Sequence, residues 1–107
     1  MSNAHPGSYG GNDDYELVAE FDASESYEFD HYGVWRRKSD GRVFFDHDSH
    51  CSCYGDYESG RVGDMRELDA TTFRSFRDEL HGWYGWERLN ANEAAASLDA
   101  VRRAVGS

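Results

Sequence analysis

The side chains best suited to chemistry cluster in one short segment. The sequence DHDSHCSC places His47, His50, Cys51 and Cys53 within seven positions. Imidazole nitrogen and thiolate sulfur are the ligands of a tetrahedral zinc site. Standard zinc motifs, however, separate their paired cysteines by about two to four residues and draw a second pair of ligands from elsewhere in the chain. We therefore expect no metal ion and no other cofactor; if zinc does bind, we expect the two cysteines as ligands, joined by His47, His50 or His31.

Charge argues against covalent catalysis by this segment. A nucleophilic thiolate needs positive surroundings, whereas Asp46, Asp48, Asp56 and Glu58 flank the two cysteines. The sequence also has no P-loop, no Gly-x-Ser-x-Gly elbow and no His-Glu-x-x-His helix. We therefore expect that the protein is not an enzyme. The alternative interpretation of the segment is a small cysteine pair that packs a loop beside exposed histidines.

Acidic side chains are concentrated in the first half of the chain. The 107 residues include 21 acidic and 11 basic side chains, a net charge of −10. Residues 13–58 carry thirteen acidic and four basic side chains, a net of −9, whereas residues 59–107 carry eight and seven, a net of −1. Contacts with phosphates need clustered Lys and Arg, so direct binding of nucleic acid is disfavoured. We expect instead a protein partner with a basic surface.

Strand periodicity would arrange part of this charge in a row. Apolar and charged residues alternate between 15 and 22, and similar runs at 27–38 and 42–46 predict two further strands. Carboxylates two positions apart on a strand are about 6.6–7 Å apart, close to the phosphate spacing of one DNA strand. The row is thus a candidate nucleic-acid mimic, and the alternative is a surface that only aids solubility. The candidate partner-binding residues are Glu16, Glu20, Asp22, Glu28 and Asp30.

Helical spacing follows the strands. Phe73, Phe76 and Leu80 predict one helix with Gly82 as its C-terminal cap, and a second helix is predicted to begin at Asn90. The predicted fold is α+β, a three-stranded antiparallel meander followed by two helices packed on one sheet face. Residues 1–12 have little apolar surface to bury and predict a disordered tail, so residues 13–107 are expected to form a single domain.

The turn SDGR sets the expected register of the second hairpin. A three-residue loop of Ser39, Asp40 and Gly41, with Gly41 in the left-handed region, would place Trp35 opposite Phe45. A two-residue loop would place Trp35 opposite an aspartate. Since aromatic pairs stabilise antiparallel strands, we predict the three-residue loop with both rings on the buried face.

The first half of the chain resembles small uncharacterised proteins encoded by phages of actinobacteria. In those proteins a strand pair leads to a block of the form Asp-Ser-Gly-Cys-Ser-Cys-Pro, and the similar runs here are YELVAEFD, YEFD and GRVFFDHDSHCSCYGDYE. His50 and Tyr54 stand where the block has Gly and Pro, and because the histidines are not part of it, the resemblance weakens the four-ligand zinc site. It implies an origin and a fold but no activity. The matching positions are Asp48, Ser49, Cys51, Ser52 and Cys53.

Two functional hypotheses remain open. The first is a small acidic binding or inhibitor module that acts on a basic surface of a host or defence protein. The second is a small structural domain with a metal-stabilised Cys/His loop and no activity of its own. No run approaches the roughly 20 apolar residues of a membrane span. We expect a monomer or small homo-oligomer in the cytoplasm, which would be that of the host cell if a phage encodes the protein.

Overall fold

The computed structural model describes residues 3–51, 57 and 60–106, with Cys51 described by its backbone alone. The strands form one antiparallel sheet in the order β1-β2-β3-β4, and two helices follow them in the chain. Short 3-10 helices cover Val62–Asp64 and Tyr84–Arg88. The α+β class is therefore confirmed, with a fourth strand that the sequence does not predict. The elements are β1 Tyr15–Asp22, β2 Glu28–Arg37, β3 Val43–Cys51, β4 Arg66–Leu68, α1 Phe73–Gly82 and α2 Ala91–Gly106.

The fourth strand corrects the expected three-stranded meander. β4 has only three residues, and it pairs Leu68 with Val43 and Arg66 with Phe45. Three residues are too few to show a period of two, so the sequence contains no strand signal for β4 beyond Leu68, which is buried. β3 also continues beyond the expected run 42–46 as far as Cys51. Its polar end forms a strand because it pairs with β2 through all nine residues.

Both helices pack on one face of the sheet, which we call the helix face. Val34 and Phe45 meet Phe76 and Leu80 of α1 and Val101 of α2, all of them buried. The ring of Phe76 lies 4.7 Å from the ring of Phe45, between centroids, in an edge-to-face arrangement. The apolar spacing at i, i+3 and i+7 places such residues on one side of each helix, and burial of that side attaches the helix to the sheet.

The start of α2 agrees with the sequence prediction, whereas the end of α1 differs from it. The Asn90 side-chain oxygen accepts hydrogen bonds from the backbone N–H groups of Asn92 and Glu93, at 3.0 and 3.1 Å, as an N-terminal cap. Gly82 is the last residue of α1 rather than a left-handed cap beyond it. The chain instead leaves the helix through Trp83 in an extended conformation, which carries the Trp83 ring into the core.

The β2–β3 turn contains four residues, so the predicted register was wrong by one position. Trp35 lies opposite Phe44, and Phe45 lies opposite Val34 on the helix face. The Arg37 N–H donates to the Arg42 carbonyl at 2.7 Å, which closes the longer loop. The Asp40 carboxylate stabilises that loop, since it accepts hydrogen bonds from the Arg37 guanidinium and the Arg42 N–H. Gly41 does adopt the predicted left-handed conformation, with φ +76°.

The opposite side of the sheet, here the outer face, is covered by the segment 3–12. The sequence predicts a disordered tail there, but the His5 side chain is 0% exposed and stacks on Tyr57 at 4.0 Å between ring centroids. His5 Nε2 lies 3.0 Å from Asp46 Oδ2, and Val62 N–H donates to the Asn3 carbonyl at 3.1 Å. The segment therefore packs with Trp35 and Tyr57 as a second, smaller layer.

A polar network ties α1 to the sheet. The Arg66 guanidinium donates two hydrogen bonds to the Glu79 carboxylate, at 2.9 and 2.7 Å, and Tyr32 Oη–H donates a third at 2.8 Å. The Arg66 contact lowers the pKa of the Glu79 carboxyl, whereas burial raises the pKa of the Tyr32 hydroxyl. Glu79 is thus ionised and Tyr32 neutral at physiological pH, which is the combination that the three hydrogen bonds need.

Candidate functional site

A bulge in β1 divides the expected row of carboxylates between the two faces of the sheet. Glu16 pairs with Arg36 of β2, whereas Glu20 pairs with Gly33, because the register shifts between Leu17 and Ala19. Positions 33 and 36 of a regular strand face opposite sides. Glu20 therefore shares the outer face with Asp22, and Glu16 lies on the helix face. The prediction that Glu16, Glu20 and Asp22 share one face was wrong, because the bulge adds one residue to β1 between Glu16 and Glu20.

Two of the five candidate carboxylates, Glu16 and Asp30, are half-buried and are held by internal contacts. Arg36 Nε donates to Glu16 Oε1 at 2.6 Å. Asp30 Oδ1 accepts a hydrogen bond from Trp83 Nε1 at 3.1 Å and lies 2.6 Å from His47 Nε2. Asp30 therefore anchors the Trp83 ring to the sheet. Asp30 itself is half-buried. Glu20, Asp22 and Glu28 remain exposed.

Exposed carboxylates lie along the end of β1, in the turn that follows it and at the start of β2. Glu25, in the connecting turn, is also exposed and adds a fourth carboxylate to the three. Arg88 is the cation that reaches this group, with Nη1 3.3 Å from Glu25 Oε1. Four negative charges with one positive charge beside them leave this end of the hairpin strongly acidic. The acidic hairpin end, as we name it, consists of Glu20, Asp22, Glu25 and Glu28.

Two exposed tyrosines border the acidic hairpin end. Tyr27 lies in the turn itself and is 79% exposed, and Tyr84 is 73% exposed. Arg88 connects Tyr84 to the hairpin, because its guanidinium stacks 4.7 Å from the centre of the Tyr84 ring while it also reaches Glu25. Exposed aromatic rings beside carboxylates can contact the apolar and charged parts of a basic side chain together. Tyrosine is also enriched among the residues that dominate binding energy at protein interfaces.

An open groove lies along the edge of β1 next to these groups. Its volume is about 700 Å³. Within the described part of the chain β1 pairs only with β2, so its other edge faces this groove. A strand edge with free backbone groups can receive an extended peptide as an additional strand. The residues that line the groove include Glu20, Phe21, Asp22, Arg88, Asn90 and Glu93.

The strand geometry separates His47 from the other two histidines that the sequence offers as zinc ligands. His47 lies on the helix face and stacks on Tyr32 at 4.4 Å between ring centroids. His31 and His50 both contact Asp48, with His31 Nε2 at 3.2 Å and His50 Nδ1 at 2.8 Å from Asp48 Oδ2. The Cys51 side chain and all of Cys53 lie outside the described residues. Among the residues that are described, no group of three or more His, Cys, Asp or Glu side chains is arranged to hold a metal ion.

Sequence reasoning missed His5 and Tyr57 as parts of the outer layer. Tyr57 has φ 53°, a left-handed conformation that is unusual for a bulky residue. Its N–H donates to Asp48 Oδ2 at 3.3 Å and its hydroxyl donates to the Asp46 carbonyl at 3.4 Å, so β3 holds both ends of the residue. The only sequence signal for this layer is the alternation of Asp46, Asp48 and His50 on one side of β3, which continues the strand.

Comparison with known proteins identifies a family but no characterised relative. The model of a family described as a domain of unknown function (DUF7574) matches residues 8–107. Neither the curated proteins nor the solved structures give a match. Among the residues described, no helix has the length and apolar character needed to cross a membrane.

Proposed function

The chain belongs to the DUF7574 family, and we propose that it is a binding module for a basic segment of a protein partner. The observation that carries the proposal is the acidic hairpin end, whose four carboxylates are exposed and two of which, Glu20 and Asp22, line a groove along the edge of β1 that pairs with no other described strand. A lysine- and arginine-rich segment suits it, because opposite charges increase the association rate and the edge of β1 supplies backbone hydrogen bonds.

The proposal extends to the biological setting that the resemblance implies. We propose an inhibitor encoded by a phage that covers a basic surface of a host or defence protein in the host cytoplasm. The β1 bulge removes Glu16 from the expected row, which disfavours a long, regular mimic of one DNA strand. The proposed contact is therefore a cluster of carboxylates with a short cationic segment rather than a row of phosphate substitutes.

Charge reversal at the acidic hairpin end is expected to abolish binding of a basic peptide. The probe is a fluorescent peptide of about ten alternating arginine and valine residues, a length typical of a long strand. The variant Asp22→Lys/Glu25→Lys/Glu28→Lys should weaken binding by about 100-fold, equivalent to about 2.7 kcal/mol, because three attractions become repulsions. Fluorescence anisotropy at several salt concentrations measures the affinity, which should fall as salt increases.

A matched control variant distinguishes the contribution of the acidic hairpin end from the contribution of the overall negative charge. Asp13→Lys/Glu67→Lys/Asp78→Lys changes the net charge by the same amount at three exposed positions outside the groove. We expect this control to weaken binding by less than about threefold, as remote and screened charges do. Equal weakening by the two triple variants would show that the acidic hairpin end is only part of a solvated acidic surface.

A second proposal is a structural domain with a zinc-bound Cys/His loop. The contact of both His31 and His50 with Asp48 supports it, because it brings two histidines together and His50 directly precedes Cys51 in the chain. Elemental analysis of protein purified in metal-free buffer should give well under one zinc per chain if the binding proposal is right. Stoichiometric zinc that disappears in Cys51→Ser would establish the second proposal instead.

A further inference from the structure

A second concave site lies on the outer face, between the segment 3–12 and the β1–β2 pair. Its volume is about 220 Å³. A water molecule occupies about 30 Å³ in the liquid, so this space is large enough for a small organic group. Glu20 also lines the groove at the edge of β1, which places the two sites next to each other. The residues around the pocket are Pro6, Gly7, Leu17, Glu20, His31, Gly33, Trp35 and Tyr57.

The pocket combines two aromatic rings with one carboxylate. Trp35 and Tyr57 are buried, with their ring centroids 5.4 Å apart in an edge-to-face arrangement. The Glu20 side chain is 47% exposed, and its Oε1 lies 3.6 Å from His31 Nδ1. His5 stacks on the Tyr57 ring at 4.0 Å between centroids, so the two aromatic rings act mainly as apolar walls, and the partly buried carboxylate is the direct ionic partner for a cation. Leu17, 56% exposed, gives the site an apolar residue as well.

Two glycines leave the space for these rings. A Cβ atom on Gly33 would lie 2.2 Å from the Trp35 ring, and one on Gly7 would lie 2.5 Å from the Tyr57 ring. The Trp35 ring therefore lies across Gly33, and the Tyr57 ring lies against the segment 3–12. Tyr57 keeps its unfavourable left-handed backbone in this position. Close packing against the backbone of Gly33 and Gly7 thus positions both rings of the pocket.

We propose that this pocket binds the side chain of an arginine from the basic partner. A guanidinium group is planar, stacks on aromatic rings and pairs with a carboxylate through two parallel hydrogen bonds. The pocket volume of about 220 Å³ is large enough to admit an arginine side chain, which has seven non-hydrogen atoms. Asp48 adds negative charge behind the site, since its Oδ2 contacts both His31 and the Tyr57 N–H. The biological source of the arginine rests on the proposed function, whereas the pocket itself can be tested alone.

Titration with n-butylguanidinium, an analogue of the arginine side chain, tests the pocket directly. We expect saturable NMR shifts of the Gly7 and Gly33 amides and the Trp35 indole, with a dissociation constant in the millimolar range, about 1–10 mM. Neutral n-butylurea has the same shape, and we expect it to bind at least about tenfold more weakly because it carries no charge. Glu20→Gln should weaken guanidinium binding by about tenfold, and the matched change Glu25→Gln, outside the pocket, should not.

The outcomes test the arginine pocket separately from the proposed binding function of the acidic hairpin end. Equal binding of n-butylurea and n-butylguanidinium, or no saturable shift, would overturn the arginine pocket. Loss of peptide binding in Asp22→Lys/Glu25→Lys/Glu28→Lys would still support the acidic hairpin end in that case, because this variant leaves Glu20 unchanged. A third titration with n-butylammonium would reassign the pocket to lysine if it bound more tightly than the guanidinium compound.

Discussion

Replacing Trp35 with alanine is expected to lower the free energy of unfolding by about 3–5 kcal/mol, the usual cost of removing a buried tryptophan side chain. The side chain is buried, and its ring lies 4.9 Å from the ring of His5 and 5.4 Å from that of Tyr57, between centroids. The cavity would remove the surface against which the segment 3–12 packs. We therefore expect faster hydrogen exchange of the His5, Gly7 and Ser8 amides, in addition to a lower midpoint of urea denaturation.

An exposed aromatic residue provides the control for this change. Tyr27→Ala removes a ring that is 79% exposed and should change the free energy of unfolding by no more than about 0.5 kcal/mol. The outer layer would be disproved as a packed layer if Trp35→Ala cost less than about 1 kcal/mol and left exchange of the His5 and Gly7 amides unchanged. The arginine pocket would then lose its aromatic wall as well.

The sequence was sufficient for elements whose pattern is local. Alternation identified β1 and β2, and the spacing of Phe73, Phe76 and Leu80 identified α1, because each pattern extends over several residues. The cap at Asn90 was also predictable, since a capping side chain bonds to backbone groups only two and three positions away. Burial of one face was enough to predict that the helices cover the sheet.

The remaining features depend on contacts between distant residues. The β1 bulge appears only when the two strands are paired, and one extra residue moves Glu16 to the opposite face from Glu20. The four-residue turn depends on Asp14, whose carboxylate accepts hydrogen bonds from the Ser39 N–H and hydroxyl. His5 becomes buried through Asp46, 41 positions away in the chain. No local periodicity contains that information.

The candidate site shows the same limit. Charge counting located the excess of negative charge in the first half of the chain, but alternation alone assigned Asp30 to a binding surface. Asp30 instead holds Trp83 and His47, which come from other elements. The histidines were grouped by their closeness in sequence, although His47 and His50 face opposite sides of β3 because they are three positions apart. The first error arises because folding brings distant residues onto Asp30, and the second because strand geometry separates residues that are close in sequence.

Phe76→Ala is expected to lower the free energy of unfolding by about 3–5 kcal/mol through loss of the helix-face core. The Phe76 side chain is almost completely buried, and its ring meets the rings of Phe21, Tyr32 and Phe45 at centroid distances of 6.2, 6.4 and 4.7 Å. These three residues come from three different strands. Removal of the ring therefore weakens the attachment of α1 to the whole sheet, and chemical denaturation monitored by circular dichroism measures the loss.

A milder change keeps this prediction testable if Phe76→Ala does not fold. Phe76→Leu keeps most of the apolar volume and should cost no more than about 1.5 kcal/mol, whereas Phe73→Leu, at a half-buried position of the same helix, should cost less. Because the rings around Phe76 are not those around Trp35, Phe76→Leu and Trp35→Phe should have additive effects to within about 0.5 kcal/mol. Strong coupling between these two changes would contradict two separate layers on opposite faces, since independently packed layers lose their contacts independently.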